Sequence, residues 1–397
     1  MKIGIITYHA VYNFGANLQI LSTVGYLKKH GYEPRVIDWM PVDLERKYDK
    51  GTPQEQVEAH KNFQKEYLPL TKRCRNSKEI SACVLEEGIE GIIIGSDSLF
   101  NLMKPSFNWF KLKRNYPSSD HVFSNPFWGD FNKYIPNIPI AGLSISSQNS
   151  KYFDFAKDKS VIGEALAKFK YISVRDNWTQ DLVNYYTDGK IIPEITPDPV
   201  FSFNSNIPVI RTKQEILKKF NLPKDYFLLS FTGGKRTSAN KEWITEFETK
   251  AMESNIACVQ LARTTGGQDL GLKYKIERPL CPIDWYYLIK YSKGFVGVLM
   301  HPIVSALHNS VPFFSFDHYG VKKGFKLDKK SSKTYHIVTK SGFKSQHFSL
   351  DLFRKYPRVS VIVDSLINFD KDKCKVFSVT QENNYNTNMD RILSCFK

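Results

Sequence analysis

The chain has 397 residues, enough for about two or three domains of ordinary size with buried cores. A hydrophobic share of 42% and a charged share of 24% exclude a disordered or fibrous chain, and no run approaches the ~18 consecutive apolar residues of a membrane span. Fifty-six Lys and Arg against forty Asp and Glu leave a net charge of +16, which favours anionic partners: nucleic acid, an anionic membrane surface or phosphorylated small molecules. The plainer alternative is a solubilising basic surface.

The N-terminal KIGIITY is apolar too briefly for a signal peptide and reads as a strand over 3–6. The turn Asn13-Phe14-Gly15-Ala16-Asn17 follows, then a helix over 18–30 closed by Gly31. The turn's amides suit an anion, with Asn13 and Asn17 able to bond a ligand; a bare left-handed turn is the alternative. A strand is predicted over 35–39, a polar and helical stretch over 41–85, and a buried strand over 91–95 ending in Gly95-Ser96-Asp97-Ser98. Asp97 and Ser96 therefore sit at a carboxyl edge, where open α/β sheets bind ligands, or serve as a helix N-cap.

Residues 101–135 are aromatic, basic and irregular, and read as an insertion or lid. Strands at 139–144, 171–174 and 191–195 alternate with helices near 160–170 and 177–187. Arg175 follows the strand YISV, and its planar fork suits a carboxylate or phosphate, or a salt bridge to Asp176. Asp198, between prolines in TPDPVF, reads as a structural turn.

A second βαβα run begins after Pro199, with strands at 226–231, 256–261, 294–299 and 312–316 and helices at 240–252, 283–292 and 302–309. Gly233-Gly234-Lys235-Arg236 after its first strand offers amides and two cations, suiting a phosphate or acceptor, or is a surface turn. His301 is handed from the strand tip to a helix entrance marked by Pro302, the position of a general acid or anion ligand. His308 lies about 10 Å further along the helix and is assigned a structural role. Helices near 359–368 and 384–396 close the chain. The expected fold is two Rossmann-like parallel-sheet domains facing a cleft: 1–205, 206–345, and a helical tail, 346–397, packing back on the first domain.

The six cysteines form no CxxC pair and no metal-ligand spacing, so no metal site is expected and a reducing, cytoplasmic setting is favoured. The basic residues match no nucleic-acid reader. The Lys-rich stretch 322–333 suits peripheral contact with an anionic membrane.

Five segments in order resemble the polysaccharide pyruvyl transferase family. Tyr12-Asn13-Phe14-Gly15-Ala16-Asn17-Leu18-Gln19 answers to a Y-N-x-G-A-x-L-Q motif, and Gly95-Ser96-Asp97-Ser98-Leu99-Phe100-Asn101 to G-S-D-Q-x-W-N. Ile172 to Asp176 answers to I-S-V-R-[ED], Asp198 to Phe201 to D-P-[VT]-F, and Pro282, Trp285, His301 and Pro312-Phe313 to the last segment. Two departures bear on specificity and donor binding: Ser98-Leu99-Phe100 replaces Q-x-W, and Leu299-Met300 precedes His301 where S-F or R-x is usual.

The resemblance implies a two-domain fold similar to the type-B glycosyltransferases (GT-B), with the donor site in the 206–345 domain. It also implies transfer of pyruvate from phosphoenolpyruvate to two hydroxyls of a sugar, giving a cyclic ketal and phosphate without a further cofactor. The implied acceptor is a surface-polysaccharide precursor or lipid-diphosphate-linked saccharide, and no nucleic acid is expected. On this reading Arg175 holds the donor, His301 is the acid, Asp97 is the base for a sugar hydroxyl, and Asn13, Gly15, Asn17, Ser96 and Gly233 to Arg236 bind substrate. The alternatives are a sugar-nucleotide-dependent glycosyltransferase of the same architecture and a non-catalytic glycan-binding homologue.

Overall fold

A computed structural model of the chain describes residues 1–108, 112–233, 238–317, 320–323, 326–350 and 356–397. The first sheet contains β1 (Lys2–Ile6), β2 (Glu33–Trp39), β3 (Leu70–Cys74) and β4 (Gly91–Asp97). After the small antiparallel pair β5 (Ser106–Asn108) and β6 (Lys113–Asn115), it adds β7 (Ile140–Ile145), β8 (Tyr171–Val174) and β9 (Glu194–Ile195). Its order is β3-β2-β1-β4-β7-β8-β9, and every pairing within it is parallel.

The second sheet contains β10 (Tyr226–Ser230), β11 (Ala257–Gln260), β12 (Tyr274–Lys275), β13 (Gly294–Val298) and β14 (Phe313–Asp317). The antiparallel pair β15 (Val321–Lys323) and β16 (Lys326–Asp328) intervenes before β17 (His347–Ser349). This sheet runs β12-β11-β10-β13-β14-β17, again all parallel. The chain is thus two parallel-sheet, Rossmann-like halves facing a cleft.

Continuous apolar burial explains why the central strands were legible: β1, β4, β10 and β13 are covered on both faces. Each sheet reverses its winding order at its centre, between β1 and β4 and between β10 and β13. Those reversals open crevices at the strands' carboxyl ends, and the two crevices share one cleft.

Four local expectations differ from the structure. The first helix starts at Phe14, because the Asn13 side chain accepts from the Ala16 amide and caps it; the NFGAN segment is helical first turn, with no left-handed residue. The stretch 41–85 contains β3 as well as helices. The stretch 101–135, expected as an insertion or lid, is built into the first half where Phe127, Trp128 and Phe131 join its core; 109–111 lie outside the described residues. The last helix runs over Lys371–Ser394, far longer than expected. It returns to the first sheet: Asn388 donates to Ser173 Oγ at 3.1 Å, Tyr171 donates to Asn388 at 3.0 Å, and Arg391 pairs with Glu194.

The halves are tied by aromatic and polar contacts. Phe14 stacks on Trp285 with ring centroids 5.4 Å apart, and Gln56 exchanges two hydrogen bonds with the backbone of Leu280. None of the six cysteines is in a disulfide.

Candidate active site

The cleft between the sheets encloses about 530 Å³. Its floor is made by the tips of β1, β4, β10 and β13 and the helices that follow β1 and β13. Two of those tips carry backbone that L-residues rarely adopt: Asp97 at φ 138° and Leu299 at φ 92°. Such conformations cost of order ~1–3 kcal/mol each and persist where surrounding packing enforces them, commonly at functional sites. Here both line the same cleft, one from each half.

At the centre is a chain of opposite charges. Asp198 is 2% exposed; its Oδ1 accepts from the Val200 amide, capping a short turn, while its Oδ2 accepts from Arg175 and Gln19, each at 2.6 Å. Arg175 reaches Asp97 Oδ1 at 3.5 Å, and Lys333 Nζ lies 3.9 Å from the same oxygen. Lys333 also donates to Ser98 Oγ at 3.1 Å. Burial alone would raise the Asp97 carboxyl, but Lys333 and Arg175 hold it below its ordinary range, so it is ionised. Burial opposes the charge on Arg175, yet Asp198 and Asp97 raise it further. For Lys333 burial dominates, helped by Arg175, and lowers the ammonium below its usual range.

His301 is the second residue of the helix Met300–His308. Its Nε2 is 4.0 Å from Asp198 Oδ2, buried and without a hydrogen-bond partner among the described residues. Burial pushes the imidazole down to about 4, with Asp198 and Asp97 pulling the other way, so the ring is neutral at pH 7. The helix it opens has no side-chain cap and no acidic residue in its first turn, which leaves amides and a positive dipole end at the cleft.

The structure brings Asn13, Gly15, Asp97 and His301 to the cleft wall and sets Arg175 directly behind it. Asn13 spends its carbonyl oxygen on capping. Asn17 and Ser96 lie elsewhere: Asn17 is fully buried and donates to the His9 carbonyl, and the Ser96 hydroxyl donates to the Ser144 carbonyl. Gly233 bonds the Gly266 carbonyl away from the cleft lining. Gly234, Lys235 and Arg236 lie outside the described residues. Arg175 pairs with Asp198 and Asp97, whereas Asp176 caps the next helix. His308 accepts from the Asn204 amide and contacts Ser378, remote from the cleft.

Sequence reasoning missed Asp198 and Lys333. The first also makes the turn its prolines announced, and that concealed its second oxygen. The second belongs to the Lys-rich stretch 322–333, in which Lys330 is exposed and Lys333 turns inward; Gly324 and Phe325 lie outside the described residues. Asp120 and His121, from the aromatic segment, and Tyr8, Tyr12 and Tyr48 complete one wall, with Tyr8 donating to Asp120 at 2.6 Å.

Two parallel-sheet halves with a charged cleft at their switch points define a type-B glycosyltransferase-like fold. Solved structures of the same fold include a UDP-GlcNAc 2-epimerase from Neisseria meningitidis bound to UDP-GlcNAc, with TM-score 0.57, 10% identity and 99% of each chain covered. Another is a UDP-N-acetylglucosamine 2-epimerase from Rickettsia bellii, with TM-score 0.53, 11% identity, and 99% of this chain and 96% of that one covered. A ugt transferase from Siraitia grosvenorii in complex with UDP aligns at TM-score 0.50 and 11% identity, over 100% of this chain and 99% of its own. No curated protein matches in sequence. The polysaccharide pyruvyl transferase profile matches residues 13–319, and the chain belongs to that family. It is thus a transferase-type enzyme of polysaccharide biosynthesis that acts on a sugar substrate.

Proposed function

We propose that the protein transfers pyruvate from phosphoenolpyruvate to two hydroxyls of a sugar, releasing phosphate and forming a cyclic ketal. The observation that carries this reading is the cluster at the cleft floor: an imidazole whose buried Nε2 has no hydrogen-bond partner among the described residues, in the first turn of an uncapped helix, with Arg175 and Lys333 close by. A donor with one carboxylate and one phosphate needs cations, backbone amides and one proton source; the cluster offers the first two, and His301 becomes the third when the bound anion charges its ring.

On this reading His301 gives a proton to the donor's methylene carbon, which leaves a positive centre stabilised as an oxocarbenium ion. One sugar hydroxyl adds there and returns its proton to the now neutral imidazole; phosphate departs with the C–O bond electrons and takes the proton of the second hydroxyl as that oxygen closes the ketal. Asp97, kept ionised by its neighbours, is better suited to stabilising the cationic centre than to taking a proton, because a carboxylate held that low is a weak base. The tyrosine wall of Tyr8, Tyr12 and Tyr48 gives a sugar ring an apolar face beside the carboxylate of Asp120.

Incubating the protein with phosphoenolpyruvate and a panel of lipid-linked and model glycosides tests this. The expected result is acceptor-dependent phosphate release with the mass gain of a pyruvyl ketal. A second reading, a sugar-nucleotide-dependent glycosyltransferase, is favoured by the UDP and UDP-GlcNAc bound in proteins of the same fold. Turnover of UDP-sugars in that assay, with phosphoenolpyruvate untouched, decides for it.

The acceptor on this proposal is a lipid-diphosphate-linked saccharide at an anionic membrane surface. Among the described residues no helix is long and apolar enough to cross a membrane, so contact is through the +16 surface. At ~1 kcal/mol per basic residue near the surface, flotation with anionic vesicles is expected at low salt and is lost at high salt. Absence of flotation at low salt removes the membrane from the proposal.

A further inference from the structure

We propose that Lys333 is the residue that holds the phosphate of the enol-phosphate donor, an assignment resting on the pyruvyl-transfer reading above. Lys333 lies beyond the residues matched by the family profile, in a segment that leaves the second sheet at the tip of β14. Ser332 anchors that segment, donating to Asp317 Oδ2 at 2.5 Å and capping the helix Lys333–Lys340 through the Tyr335 amide. The anchor fixes the next residue, Lys333, so that its side chain crosses the cleft to β4 in the opposite half.

The ammonium is incompletely used there. Its side chain is 16% exposed, and its single hydrogen bond among the described residues is to Ser98 Oγ. An ammonium has three donors, so two remain for a ligand. Its nearest carboxylate, Asp97, is 3.9 Å away, beyond a hydrogen bond, and is shared with Arg175. Among the described residues Asp97 is the one carboxylate between these two cations and Arg175 draws on it as well, so an entering anion finds Lys333 with charge and donors still to offer.

Beside His301 itself, Leu299 and Met300 bring apolar side chains, and Arg175 pairs with Asp198 behind the wall. Lys47 and Arg263 also line the cleft, Lys47 on the helix Val42–Gly51 and Arg263 beyond β11, whereas Lys333 is the lining cation that reaches Ser98 and Asp97 at the tip of β4. Lys333 lines the open cleft directly, next to His301. An oxyanion seated on Lys333 would lie beside the uncapped helix N-terminus, leaving the methylene end of the donor toward the imidazole.

Titration calorimetry of the full chain with phosphoenolpyruvate, and with inorganic phosphate as a competing probe, tests the assignment. Lys333→Met is expected to weaken both by about 10- to 100-fold, the worth of one charge-assisted hydrogen bond. The acceptor KM and the melting temperature should stay near wild type, and Lys330→Met, on the exposed part of the segment, should bind as wild type does. Should Lys333→Met not fold, Lys333→Gln, which keeps a donor for Ser98 and removes only the charge, carries the same expectation. Unchanged donor and phosphate binding in a folded Lys333 variant overturns the assignment while leaving pyruvyl transfer standing. If wild-type protein binds a UDP-sugar and no phosphoenolpyruvate, the functional reading falls and this assignment falls with it.

Discussion

Replacing His301 with glutamine is expected to lower phosphate release from phosphoenolpyruvate by ~10²–10⁴-fold, the usual contribution of a positioned proton donor. Glutamine keeps a polar group of similar size at the helix entrance, so the loss reports the proton and not the packing. In the free protein burial holds this imidazole at about 4, hence neutral at pH 7. Asp198 and Asp97 pull its pKa up, while Lys333 and Arg175 push it down and offset them.

A multiply charged donor anion tips that balance toward the charged ring, so donor binding should draw a proton from solution. Calorimetry in buffers of different ionisation enthalpy reads that uptake directly, and His301→Gln should reduce it. The same shift has a stability consequence. The unfolded ring titrates near ~6.5 and the folded ring near about 4, so between these values the unfolded state binds more protons. Stability linked to His301 is therefore complete above ~6.5 and is lost as pH falls toward 4, by ~1.4 kcal/mol per unit. His301→Gln should flatten that part of the melting-temperature profile. Wild-type turnover in the folded variant would remove His301 from the chemistry.

The sequence exposed the frame of this site better than its interior. The central strands announced themselves because burial on both faces leaves an uninterrupted apolar run, and strand tips in a parallel sheet mark a carboxyl edge. That reasoning reached Asp97, Arg175 and His301, whose positions follow from the strands that precede them. It could not reach Lys333, whose place depends on Ser332 meeting Asp317 and on the segment crossing to the other half. Nor could it see Asp198 as more than a turn residue, since its bonds to Gln19 and Arg175 span 179 and 23 residues. Asn17 and Ser96 failed for the converse reason: sequence proximity to a strand tip does not tell which way a side chain points, and both turn into the protein. Cleft chemistry in a two-half fold is set by contacts of long sequence separation, which local periodicity does not encode.

Gly15→Ala is expected to disable the site nearly as completely as loss of His301, although alanine is the better helix former by ~1 kcal/mol. Gly15 adopts no left-handed backbone, so conformational freedom does not require glycine here. Space does: a Cβ built on Gly15 would fall against Cγ, Nδ1 and Cβ of His301. The helix Phe14–Lys29 and the helix Met300–His308 thus meet end to end, glycine against imidazole, with Phe14 stacked on Trp285 alongside. Because His301 Cβ is among the atoms struck, a rotamer change cannot relieve the clash, and one helix must move. Overpacking of this kind costs ~1–3 kcal/mol, which outweighs the propensity gain, so the melting temperature should fall modestly. Turnover should fall by ~10²-fold or more, because a displacement near 1 Å at the reacting group is enough. A double-mutant cycle separates the causes. In a His301→Ala background part of the struck side chain is gone, and Gly15→Ala should then cost less stability and no further turnover. If Gly15→Ala lowers turnover equally in both backgrounds, the glycine serves the ligand directly and not the seat of His301.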